Sequence, residues 1–419
     1  MRRALWLLLA ALCGTAGAQP AAAPAPQISL LTFQPGEIYW QRYGHNALRV
    51  VEAGRQVVYN YGVFDFQQKN FALNFARGRM RYRLATEPIE YTLAAYGQSG
   101  RWVNEQILDY SPEQARRVAQ YLARNALPEN AEYRYDYFTA NCSTQVRDVI
   151  NLGADGALAA ALNPVMTPAT YRQDAARMMA DLQPMMWLTD VLLGPAADRP
   201  IDLWQREAVM SEQNTFEVLM DAVRQVRLAD GRPLVRRERM LVPGRAGASR
   251  DAPPRLVMPF AVTGLAVAGL LLLLSAWGGQ RTLTTGSVVA ARLARGLAGL
   301  LVMISGVVGG VLLLGCTLTD HEVMHGNLSL LAFSPASLLL LPIVVRSAWR
   351  RTPLGPIGTG LLVLPVVTTL AALVAQLLPG AQQHLHWLLL WLPLHLALLA
   401  ILVPRSSPCT TSPPRPCAS

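Results

Sequence analysis

The sequence predicts an α+β exported domain followed by an all-α, multi-span membrane domain. Three observations carry this. The N-terminus reads as a cleavable leader, the first half holds alternating apolar runs between turn signals, and the second half holds five long apolar stretches. Composition agrees: 52% of the 419 residues are apolar and only 15% charged, with a net charge of +10. That balance fits a membrane protein and not a nucleic-acid binder. The cationic excess is arginine, and Lys69 is the only lysine.

The leader, "MRRALWLLLAALCGTAGAQP", has a basic start, a short apolar core and a small-x-small end at Ala16-Gly17-Ala18, so residues 1–18 are expected to be a signal peptide. Cys13 does not make a lipobox, because Leu12 stands where a small residue is needed. A Pro/Ala-rich linker is expected over 19–27 and an exported domain over 28–228. A basic juxtamembrane linker over 229–255, a five-helix membrane domain over 256–404 and a disordered cytoplasmic tail over 405–419 complete the expected organisation.

The five apolar stretches lie near 257–277, 296–317, 330–345, 357–378 and 387–403; the third is short and holds Pro335 and Pro342. A span needs about 20 residues. With the exported domain outside, the loops after spans one, three and five face the cytoplasm. They carry Arg281, Arg292, Arg295, Arg346, Arg350, Arg351, Arg405 and Arg415, which is every basic residue after Arg255. The acids Asp320 and Glu322 fall in an outer loop, so the positive-inside rule holds throughout. The outer loops also place His321, His325, His384 and His386 beside the exported domain. No ordered set of carboxylates or thiolates accompanies them, so no metal is expected, and lipid-headgroup or substrate contact is the favoured reading. The arginine-rich run from Arg236 to Arg255 lies either on anionic headgroups or free in solvent.

Within the exported domain, "HNALRVV" and "QVVYNYGVFDF" alternate around a glycine-containing turn and read as a β-hairpin. Folding it near residue 54 brings His45 opposite residues 61–65, where Tyr61 and Asp65 are the candidates to bond the far ring nitrogen of His45. Asp65 is preferred, because a carboxylate also stabilises an imidazolium. "RGRMRYRL" reads as a strand with Met80, Tyr82 and Leu84 on one face and arginines on the other; the arginine face is either solvated or a phosphate contact. Ser111, Pro112 and Gln114 begin a helix that ends before Pro128, and "EYRYDYF" is a further strand.

That strand leads into "TANCSTQVRDVINLG". Asn141, Ser143 and Thr144 are capping residues, and Val146, Val149 and Ile150 share a helical face with Cys142. Cys142 therefore sits in the first turn of a helix, where about half a positive charge lowers a thiol pKa and backbone N–H groups can hold an oxyanion. It is also the one thiol that the exported stretch before the first span keeps once the leader is removed. A histidine on an adjacent strand makes this a Cys–His nucleophile pair; a buried structural cysteine is the competing reading. His45 precedes Cys142, the circularly permuted order relative to papain.

"YGHNALRV", "YNYGVFDF", "YRYDYFTANCSTQVRD" and "ADRPIDLWQREAVM" resemble the Lnb N-terminal periplasmic domain, a permuted papain/NlpC-P60-like domain, over residues ~25–225. The spans with an outer "H…HGNLSLL…P" loop resemble the Lnb transmembrane region. The resemblance implies lipoprotein N-acylation in the inner membrane: transfer of an acyl chain, from a phospholipid donor, to the N-terminal amine of bacterial lipoproteins. It implies Cys142 as nucleophile, His45 as base and Asp65 as orienting residue, and it needs no cofactor. Asn141, Tyr61, His321 and His325 are the candidate substrate contacts. The segment "WQREAVM" is less aromatic than its counterpart in the family. The alternative activity is a membrane-tethered cysteine peptidase or amidase acting on cell-wall peptide; a non-enzymatic sensor is the third option.

Overall fold

The computed structural model describes residues 24–162, 166–202, 215–245, 252–279, 284–350 and 354–403. The leader with Cys13, the "WQREAVM" segment, and the tail with Cys409 and Cys417 lie outside the described residues.

The first half is built on a seven-stranded antiparallel sheet. Its strands are β1 (Gln27–Phe33), β2 (His45–Glu52), β3 (Arg55–Val63), β4 (Arg81–Pro88), β5 (Val103–Leu108), β6 (Glu132–Arg134) and β9 (Val235–Val242), in the order β6-β4-β3-β2-β1-β5-β9. A separate two-stranded ribbon pairs β7 (Met166–Thr170) with β8 (Pro200–Asp202). The β2–β3 hairpin closes at Ala53 and Gly54, both at positive φ (48° and 77°), as a two-residue turn requires. The register that follows, Glu52 opposite Arg55 and Leu48 opposite Tyr59, fixes which side chains share a face.

Helices α1 (Phe71–Ala76), α2 (Ile89–Ser99), α3 (Pro112–Asn125) and α4 (Cys142–Gly153) are interleaved with these strands. Leu48, Val50 and Tyr61 face α3 and α4 and pack with Val118, Leu122, Val146 and Ile150. Ala47 and Val58 point the other way and pack with Ile89 of α2 and with Leu31, Phe33 and Val103. α3 starts as expected: Ser111 accepts from the Gln114 N–H, and Gln114 completes the capping box. β4 alternates as expected, with Arg81 and Arg83 exposed and Leu84 buried.

Two elements depart from expectation. The stretch read as a basic linker supplies β9, which pairs with β5 at the sheet edge, so the sheet domain continues past residue 228. Its Arg239 pairs at 2.7 Å with Glu105, which is fully buried and also takes Arg49 at 2.5 Å. β5 itself, "VNEQIL", is buried along its whole length and carries Asn104, Glu105 and Gln106 in its centre. Its polar residues are met by β9 and the neighbouring helix: Gln106 donates to Glu238 and to the Met220 carbonyl.

Helices α5 (Tyr171–Met178) and α6 (Gln183–Leu192) join the two halves. α7 (Thr215–Gln225) packs back on the sheet domain. The second half contains α8 (Val257–Gly278), α9 (Thr285–Leu318), α10 (Ser337–Arg350), α11 (Pro356–Ala375) and α12 (Leu385–Leu402). Among the described residues, four of these are long and apolar enough to cross a bilayer. The third expected span is the exception: α10 has 14 residues, and Pro342 lies inside it. α9 also begins earlier than expected, so Arg292 and Arg295 sit on its first turns and not in a loop.

The halves are joined by a buried polar cluster. Arg172 of α5 bonds Asp190 and Asp198 and the carbonyls of Asp190, Leu193 and Gly194. Asp190 then accepts from His386 Nε2 and Trp387 Nε1 of α12, both at 2.7 Å. Those donors, with Arg172, hold the Asp190 carboxyl below its usual pKa against the opposing effect of burial.

Removing one member of a buried charge set leaves the other uncompensated. Glu105→Gln, which strands Arg49, is expected to destabilise the sheet domain by about 3 kcal/mol, read as a lower thermal midpoint of the detergent-solubilised protein.

Candidate active site

His45 is the first residue of β2 and Cys142 the first residue of α4. The α4 cap is made by Asn141, whose Oδ1 accepts the Ser143 and Thr144 N–H groups at 2.9 and 3.1 Å, while Thr144 Oγ1 accepts the Asn141 N–H at 2.8 Å. This uses the other first-turn donors internally. Among the described residues, the Cys142 N–H is left without an acceptor in the protein, at the positive end of the helix.

The two reactive groups meet. The Cys142 thiol and the His45 imidazole lie close enough for each to act on the other's ionisation, and the Asn46 backbone N–H and the Ser143 hydroxyl act on the sulfur in the same direction. Burial acts to raise the thiol's pKa, but the His45 charge and these neighbours outweigh it, and the net direction is down. For His45, burial acts to lower the pKa; the Cys142 charge, its hydrogen bond and that from Asn60 outweigh it, and the net direction is up. Both shifts favour thiolate and imidazolium. Both residues are half-buried, so the pair is open to a reactant on one side.

The residue bonded to the far ring nitrogen of His45 is Asn60. His45 Nε2 lies 3.1 Å from Asn60 Oδ1, and Asn60 Nδ2 donates to Glu87 at 3.1 Å. Glu87 also accepts the Thr92 hydroxyl at 2.5 Å. Because Glu87 only accepts, Asn60 must present its oxygen to His45. That places the proton on Nε2 and leaves Nδ1 for the thiol. Phe33 stacks on the His45 ring at 5.4 Å and fixes its plane.

Asp65 does not take this role. It lies beyond the end of β3 in an exposed turn, where its carboxylate accepts the Gln67 N–H at 2.8 Å. Tyr61 is not a substrate contact: it faces the core, 1% exposed, and donates to Asn125 at 2.6 Å. The reason is strand parity. Asn60 and Val58 share the His45 face, while Tyr61 points to the opposite one. Asn141 is occupied as the helix cap and donates to the Tyr137 carbonyl, so it is not free for substrate. Asn46, not singled out from sequence, supports the sulfur: its side chain donates to Ser143 Oγ at 2.9 Å and accepts from Thr32 at 3.1 Å.

Gly62 lies in a bulge of β3 at φ +86°, and a Cβ there would come 3.4 Å from the Cys142 Cβ. Its left-handed backbone and missing side chain keep the space before the thiol open.

The site lies where the two halves meet. Tyr43, two residues before His45, and Phe138, four before Cys142, pack with Tyr171 and with Val323 of the outer loop. The outer-loop histidines are spread out. His321 donates to the Phe75 carbonyl at 2.9 Å and stacks on Tyr137, whereas His325 turns back to the Thr319 carbonyl at 3.0 Å. They flank a short 3-10 turn, Glu322–Met324, and do not share one α-helix face. A cavity of about 210 Å³ lined by Tyr135, Tyr137, Thr139, Asp320, His321 and Glu322 opens between the domains.

Comparison with known families decides the identity. Residues 19–176 match the Lnb N-terminal periplasmic domain, and residues 258–404 match the Lnb transmembrane domain. The chain belongs to the Lnb-type family. It is a membrane protein with a periplasmic domain. No curated protein and no solved structure matches the chain.

The pair predicts its own titration. The iodoacetamide labelling rate of Cys142, followed by peptide mass spectrometry, is expected to inflect below the ordinary thiol pKa of about 8.5. In His45→Ala the inflection should move upward, since burial is then opposed only by the weaker contributions of Asn46 and Ser143. Asn60→Ala removes one hydrogen bond to the ring and should slow labelling at neutral pH by about tenfold. An unchanged rate would show that Asn60 does not orient His45.

Proposed function

We propose that this protein is a thiol-dependent acyltransferase of the inner membrane, moving an acyl chain from a phospholipid to the N-terminal amine of bacterial lipoproteins. The observation that carries the reading is the Cys142–His45–Asn60 set standing at the junction with the membrane domain. Donor and acceptor are both lipids, and membrane spans beneath the site bring it to them.

The chemistry follows from the geometry. His45 Nδ1 takes the Cys142 proton, and the thiolate attacks an ester carbonyl of the phospholipid. The developing oxyanion meets the Cys142 N–H and the positive end of α4. His45 returns the proton to the leaving glycerol oxygen, the C–O bond breaks, and a thioester and a lysophospholipid result. The amine of the acceptor then attacks the thioester carbonyl. His45 takes the amine proton and passes it to the departing sulfur, leaving an amide and the free thiol. Asn60 holds the ring with Nδ1 toward sulfur through both halves. No step calls for a cofactor.

Incubation of the full-length protein with radiolabelled phospholipid is expected to yield a hydroxylamine-sensitive acyl-thioester on Cys142. Cys142→Ala should abolish it, and His45→Ala should slow it by about 10³-fold or more. Release of cell-wall peptide without an acyl-enzyme would favour the peptidase reading instead.

A further inference from the structure

A row of aromatic rings leads away from the thiol. Tyr135 lies beside Cys142, close to the open space at Gly62. Tyr82 stacks on Tyr135 at 4.1 Å, Phe64 lies 5.1 Å from Tyr82, and Phe71 and Phe75 continue at 6.2 and 6.1 Å. The far end of the row, Phe75, meets His321 of the outer loop at 6.5 Å.

The outer side of this row is bare. Phe66 is 58% exposed, Trp40 54%, Leu73 47% and Phe75 44%. Trp40 and Phe66 touch at 5.9 Å, and Phe66 touches Phe64 at 4.7 Å, so the patch is continuous with the row. A contiguous apolar patch of this kind marks a binding surface.

Three observations identify a lipid bilayer as its occupant. The first is position. Asp320 stands two residues past the end of the spanning helix α9; its N–H donates to the Arg77 carbonyl at 2.8 Å and its carboxylate takes Arg79 at 2.9 Å. Gly78 is at φ +72°, and a Cβ there would come within 2.7 Å of the His321 nitrogen. α1 is therefore clamped against the outer end of a span. The second is charge: Lys69 and Arg77 are exposed at the two ends of α1, with no ion pair among the described residues, placed for lipid phosphates. The third is continuity with the thiol, which an acyl donor must reach.

We propose that α1 and the loop before it lie in the periplasmic leaflet, and that the aromatic row is the path along which a phospholipid acyl chain reaches Cys142. The path and the third observation rest on the acyl-transfer reading; position and charge carry the immersion of α1 without it.

The test uses the full-length protein in vesicles of phosphatidylethanolamine and phosphatidylglycerol, with photo-reactive benzoylphenylalanine in place of Leu73 or, separately, of Leu152. Leu152 is exposed at the far end of α4, about 15 Å from Cys142 by helix rise. Illumination is expected to give phospholipid adducts at position 73 about tenfold above position 152, a preference of about 1.4 kcal/mol in occupancy. Equal yields, or protein adducts at 73 in place of lipid, would overturn the immersion. Leu73→Glu combined with Phe75→Glu is then expected to slow thioester formation from vesicle phospholipid by about tenfold, with iodoacetamide labelling of Cys142 unchanged. Unchanged thioester formation would overturn the path. If the unsubstituted protein forms no thioester, the acyl-transfer reading and the path fall together, and the adduct yields still decide where α1 lies.

Discussion

A half-buried thiol ionises only if something compensates its charge, and here the largest compensation comes from one imidazole. Burial alone would push Cys142 up and His45 down, leaving both neutral and unreactive. Their mutual contact reverses both. The rest of the architecture serves to keep that contact. The β2–β3 hairpin aligns Asn60 beside His45, the capping box starts α4 at Cys142, and Phe33 fixes the ring.

The second constraint is where the pair stands. Arg172, Asp190, His386 and Trp387 form a buried set that ties the sheet domain to the outer end of α12. Charges placed there are costly to strand, which gives the junction one geometry and not many. The Gly78 clamp on Asp320 and His321 holds the other flank. Between these two attachments the thiol is held at a fixed relation to the spans.

The placement of Cys142 at a helix start and of His45 at a strand start is legible because those signals are local. A capping pattern around Cys142 and a polar histidine heading an alternating strand need no knowledge of tertiary contacts. The ring's actual partner, Asn60, also has a signal in the sequence: with the turn at Ala53 and Gly54, even-numbered residues of β3 share the His45 face. Asn60 meets that parity, whereas Asp65 stands past the strand end. Tyr61 failed on the same ground. β5 and β9 were illegible for another reason. A buried strand carrying Asn104, Glu105 and Gln106 shows no alternation, and its partner reads as a basic linker because Arg239 meets its acid, Glu105, only across the sheet. Five apolar stretches are legible in the sequence; four form helices long enough to cross a bilayer among the described residues, and the third forms a 14-residue helix with Pro342 inside it.

The chemistry requires one sulfur and one ring nitrogen to lie side by side, and a bifunctional reagent measures their separation. Treatment with 1,3-dibromoacetone, whose two reactive carbons span only a few bonds, is expected to bridge Cys142 Sγ to His45 Nδ1 and give a single cross-linked peptide pair in the digest. Recovery of Cys142 alkylated at one end only, with His45 unmodified, would contradict the account.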